Sequence, residues 1–95
     1  MVVGICEIIL HLPENHSLKG KRQVLRSIKD QVRRRFNVSV AETEDQDLWQ
    51  RAVLGIACVG NAHQIVNQTL DYVLNFIENL HLAVISDYRI EIITP

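Results

Sequence analysis

Aromatic side chains are scarce in this sequence: one Trp, two Tyr and two Phe among 95 residues. None falls in the apolar run Val2 to Leu12, and Trp49 stands alone at the start of the run that reaches Val59. Sheets that read unpaired RNA bases stack them on aromatic side chains of central strands, so that mode is disfavoured. Apolar runs such as Ile8 to Leu12, broken by His11, fall far short of the roughly 20 residues that cross a bilayer. No basic segment precedes the apolar N-terminus and no small-residue cleavage site follows it, so no secretory signal is read and a cytoplasmic protein without a membrane partner is expected.

Cysteine is equally sparse. Cys6 and Cys58 lie 52 positions apart with no CxxC spacing, which argues against a zinc ribbon or a thioredoxin-type pair and leaves two reduced core thiols. The histidines His11, His16, His63 and His81 form no i, i+4 pair and have no cysteine nearby, so neither a metal nor a cofactor is expected. Leu18-Lys19-Gly20-Lys21-Arg22 lacks the GxxxxGK[ST] spacing of a phosphate loop. The loop Pro13 to His16 has neither the arginine nor the glycine cradle that acyl phosphate hydrolysis requires.

What is present is a strict change of period along the chain. Val2 to Leu12 alternates as a strand closed by Pro13, its even positions apolar and core-facing. Ser17 caps a helix in which Leu18, Leu25, Ile28, Val32 and Phe36 recur at helical spacing, with Gly20 weakening the first turn and Asn37 ending it. Val38 to Ala41 is a short strand, Glu42 to Asp47 a hairpin loop, and Trp49 to Val59 a third strand. Asn61 and Gln64 suggest a capping box for a second helix that reaches Leu80. Leu82 to Ile93 returns to period two, with Leu82, Val84, Tyr88, Ile90 and Ile92 opposite Asp87, Arg89 and Glu91. The order βαββαβ in one domain, residues 1–95, is that of a ferredoxin-like α+β sandwich: a four-stranded antiparallel sheet with both helices on one face.

That arrangement leaves one sheet face uncovered. Val3, Ile5, Val53 and Val59 would lie on it with Arg51, and Trp49 at a strand end either closes the core or anchors a partner. Charge is lopsided too. Lys19 to Arg35 holds eight cations against Asp30 alone, a formal +7, while the remainder sets Arg51 and Arg89 against ten acids, a formal −8. The first helix is thus a basic rod on an acidic body, and Lys19, Lys21, Arg22, Arg26, Lys29, Arg33 and Arg34 are its candidate anion-binding residues.

The runs Ser17 to Arg22, Val24 to Ile28, Arg35 to Glu42 and Asp47 to Ala52 together resemble the YlxP-like family, a bacterial family of about this length and of unknown function. The resemblance spans nearly the whole chain. It implies a ferredoxin-like fold and, through the family's usual gene neighbourhood among translation and ribosome-maturation factors, a link to ribosomes or RNA; it supplies no catalytic residue. Three readings stand beside one another. The first is an accessory factor that binds ribosomal RNA or the ribosome through phosphate contacts of the basic helix. The second is a self-associating structural or regulatory module that acts through the open sheet face and Trp49 as a homo-oligomer. The third is a small enzyme on an anionic ligand near His16 and Lys19, which would need a pocket beside the first helix.

Overall fold

Period-two alternation at the N-terminus becomes β1 (Val2–His11), whose even-numbered residues are buried while the odd-numbered ones are half-buried or exposed. The computed structural model describes residues 1–95 and continues with α1 (Leu18–Arg35), β2 (Ser39–Glu44), β3 (Arg51–Gly60), α2 (His63–Leu80) and β4 (Val84–Ile93). The sheet runs β2-β3-β1-β4 with every neighbouring pair antiparallel. Both helices cover the same face, and Phe36 at the end of α1 packs edge-on against Phe76 of α2 at 5.5 Å. This is the expected ferredoxin-like sandwich. No helix is long and apolar enough to cross a membrane.

Ser17 caps α1 as expected: its extended backbone lets Oγ accept from Gly20 N–H at 3.0 Å. The helix is regular through Gly20, contrary to the expectation of a weakened first turn. A Cβ on that glycine would stand 2.2 Å from Asn15 Oδ1, so the position serves close approach. The expected capping box on α2 does not form; Ala62 is the N-cap and has no side-chain bond.

Two strands differ from the sequence reading. Glu42 and Glu44, expected in a loop, pair with Leu54 and Val53 around a bulge at Thr43, and the chain turns only at Asp45, a left-handed residue (φ 61°). β4 carries a second bulge. Ile9 pairs with Asp87 but Leu10 with Ile85, so Ser86 is the extra residue and the facing reverses behind it. Ile85 therefore turns inward, and Val84, expected on the same face as Tyr88, Ile90 and Ile92, points the other way and is exposed.

The core between sheet and helices is continuous from Val2 to Leu12 on β1, Ala52 to Cys58 on β3, Leu25, Ile28 and Val32 on α1, and Val66 to Ile77 on α2. Gly4 sets how closely α2 can lie, because a Cβ there would come within 2.3 Å of Val66 Cγ1. Cys6 and Cys58 are both buried and unbonded on these adjacent central strands. Burial pushes the Cys6 thiol up to about 11, with Asp71 and Cys58 adding to the shift; burial raises Cys58 as well, against a hydrogen bond from the Gly4 backbone. Burial and the upward shifts both disfavour the nucleophilic thiolate.

Candidate nucleic-acid interface

An α-helix returns to the same face every 3.6 residues, so the spacing of Arg22, Arg26, Lys29 and Arg33 places all four along one stripe. The stripe faces β2, and together with Leu25, Asp30 and Glu42 it lines a shallow groove of about 330 Å³. Four cations face two carboxylates there. From Arg22 to Arg33 the stripe extends about 16 Å along the axis. Arg33 is anchored: its guanidinium donates to Val40 O at 2.7 Å and stands 3.9 Å from Asp30, which fixes the groove wall to the β2 backbone. Arg22 and Arg26 are exposed, Lys29 is half-buried, and no protein acceptor within hydrogen-bonding distance engages any of the three side chains.

The remaining sequence candidates divide. Lys19 and Arg34 are exposed outside the groove, and Arg34 donates to Asp30 O at 3.3 Å within its own helix. Lys21 is a correction. It is 1% exposed, its Nζ lying 3.0 Å from Glu42 Oε2 and donating to Asp45 O at 2.5 Å, so it points into the body and cannot present its charge to an external anion. Glu42 Oε2 is itself buried and makes no well-aligned hydrogen bond, so this pair is held by Coulomb attraction more than by directed bonding. Sequence reading missed Glu42 as groove floor because it assigned the residue to a loop. The strand-like alternation of Val38 and Val40, continued two residues further, would have placed it on the helix side.

On the opposite sheet face Ile5 is exposed, Val3 half-buried, and Val59 64% exposed. Val53 is the second correction: at 1% exposure it is already covered within the chain and offers nothing to a partner. Arg51 on the same face is engaged, donating from Nε to Asp45 Oδ2 at 2.6 Å. The Trp49 side chain is 53% exposed, so it does not close the core; its carbonyl accepts from Asn15 Nδ2 at 2.5 Å, which pins the hairpin end beside the start of α1.

A cavity of about 440 Å³ does lie beside the first helix, lined by Leu12, Pro13, Gly20, Val24 and Leu82 among others. Its titratable walls are Glu14 and His81; neither His16 nor Lys19 lines it. The residues named for an enzyme are therefore not gathered in that cavity. Nowhere do three His, Cys, Asp or Glu side chains converge as a metal site would require.

Comparison with known proteins places this geometry among uncharacterised relatives. A family model described as "Protein of unknown function (DUF503)" matches residues 3–90. The uncharacterized protein YlxP of Bacillus subtilis (strain 168) is 42% identical over 74 residues, 78% of each chain. Among solved structures, the de novo designed protein Foldit4 superposes with a TM-score of 0.56 at 15% identity, over 100% of this chain and 99% of its own. LarC2, the C-terminal domain of a cyclometallase involved in synthesis of the NPN cofactor of lactate racemase, gives 0.51 at 15% identity, over 98% of this chain and 55% of its own. At such identities the structural likeness concerns the fold alone.

Proposed function

Taking as premise that the chain belongs to the DUF503 family of proteins of unknown function, we propose that it is an accessory factor that binds the phosphate backbone of RNA, ribosomal RNA in particular, along the groove between α1 and β2. The observation that carries this reading is the alignment of Arg22, Arg26, Lys29 and Arg33 on one rigid stripe, with the first three free of protein acceptors. Cations held on a helix meet successive phosphates without ordering flexible loops, and such contacts position a strand without reading its sequence. The open sheet face carries no aromatic side chains, Tyr88 of β4 lying on the helix-covered side, which fits the same mode, since base readout would need them.

The test is salt dependence. With about three to four phosphates neutralised on an unstructured RNA strand, the log-log plot of affinity against salt should have a slope between about −2 and −3. Changing the base sequence should leave the affinity nearly constant. A slope near zero, or no binding at low salt, would remove this reading.

Protein docking on the open sheet face is a second reading, favoured by the neighbouring exposed side chains Ile5, Val59 and Ile93 and by Trp49 at the strand end. Apolar burial would make such binding insensitive to added salt, the opposite of the first reading.

A further inference from the structure

The sheet has two edges, and they are unequal. β2 is six residues long, bulged, and tied to α1 through Lys21 and Arg33. β4 is ten residues long, and its outer edge pairs with nothing in the chain. A long unpaired edge is a template for another strand unless something blocks it.

The groups that face outward follow from the ladder. Leu12 N–H donates to Gln50 O at 2.9 Å, so Leu12 and every second residue before it in β1 aim their backbone groups at β3. Val3, Ile5, Glu7 and Ile9 aim theirs at β4, opposite Ile93, Glu91, Arg89 and Asp87. Tyr88, Ile90 and Ile92 must then project N–H and C=O away from the sheet. Consistent with this, Tyr88 N–H donates to its neighbour's Asp87 Oδ1 at 2.8 Å and not into the ladder. The side chains of the same three residues lie on the helix-covered face, yet Ile90 and Ile92 are only half-buried and Tyr88 is 55% exposed. The helices bury the core-facing side of β1 and leave this margin of β4 incompletely covered.

We propose that β4 pairs antiparallel with β4 of a second copy, centred on Ile90, so that two sheets join into one across a two-fold axis. Charge and the position of the bulge together select this register. Centring on Arg89 would set it against itself and Asp87 against Glu91; centring on Glu91 would oppose that carboxylate to its own copy. Centring on Tyr88 would draw the bulged Ser86 into the ladder. With Ile90 at the centre, Arg89 stands directly opposite Glu91 of the partner subunit, twice by symmetry, on the open face. Tyr88 stands opposite the partner's Ile92, so the half-covered apolar margin closes on itself. Every outward N–H and C=O of Tyr88, Ile90 and Ile92 finds a partner, and Tyr88 N–H exchanges the Asp87 carboxylate for a carbonyl. Arg89 is free to take part, because its contact with Glu7 is long, at 3.6 Å, and exposed.

Sedimentation equilibrium of the intact chain over a range of concentrations tests the pairing. Ile90→Pro is the selective variant: its outward N–H bonds nothing within the chain, so proline on this edge removes the intermolecular bond without removing a ladder bond. It should leave the protein folded and monomeric. Arg89→Glu should raise the dimer dissociation constant about tenfold by opposing like charges across the strands, and Arg89→Glu combined with Glu91→Arg should restore it. The edge pairing involves none of the groove residues. A strict monomer at about 1 mM protein would overturn it. So would a dimer that Ile90→Pro leaves intact, which would assign association to the face bearing Ile5 and Val59.

Discussion

Lys21→Met should lower the unfolding free energy by about 3 kcal/mol, although the substitution keeps the apolar stem and creates no large cavity. Lys21 is 1% exposed, and its ammonium stands 3.0 Å from Glu42 Oε2 and donates to Asp45 O. Removing it leaves a largely buried carboxylate without its counter-charge and a turn carbonyl without its donor. Breaking one side of such a pair costs far more than replacing both sides. Glu42→Leu added to Lys21→Met should therefore recover most of the loss. Urea denaturation reads both effects as movements of the midpoint at constant slope, with a shift of about 2 M for the single variant. A single variant as stable as the parent would show that the pair contributes nothing. Lys21 ties α1 to β2 and its turn, so under the proposed function it would position the groove wall and make no direct phosphate contact.

The second large effect concerns the groove itself. Arg22→Glu with Arg26→Glu should weaken binding to an unstructured RNA strand about 100-fold at 50 mM salt. Each neutralised phosphate contributes about 0.9 log units there through counterion release, and two contacts are lost. Lys19→Glu with Arg34→Glu makes the same change in net charge on the same helix but outside the groove. That control should lose only severalfold, through the weakened overall field. Both pairs are exposed, so thermal unfolding should change little in either variant. Equal losses in the two variants would mean that net charge, and not the groove, governs binding.

The fold was legible because each segment's period matched its final element: the alternation in β1 and the stripe Leu25, Ile28, Val32 in α1 are both buried as read. Failures came where one extra residue changed parity. The bulge at Ser86 turned Val84 outward, and nothing in the pattern of β4 announces it. At β2 the reason differs: the strand runs past Ala41 to Glu44, and the unbroken alternation from Val40 puts Glu42 in the groove floor before the bulge at Thr43 begins. Lys21 was misread for a different reason. A lysine inside a basic run reads as solvated, and only the tertiary approach of Glu42 and the Asp45 turn gives it a buried partner. Val53 shows the same limit on the sheet: its parity is correct, but it is already covered within the chain. The stripe Arg22, Arg26, Lys29 and Arg33 was visible in the spacing, whereas its separation from Lys19 and Arg34 required the position of β2.

The most direct measurement is an amide chemical-shift titration of the isotopically labelled protein with an unstructured RNA oligonucleotide at low salt. Binding in the groove should move the resonances of Arg22, Arg26, Lys29 and Arg33 together with those of Val40 to Glu42, saturably and reversibly on adding salt. The open sheet face, including Ile5 and Val59, should stay unperturbed. Shifts confined to that face, or none at any RNA concentration, would contradict a phosphate-binding role for the α1–β2 groove.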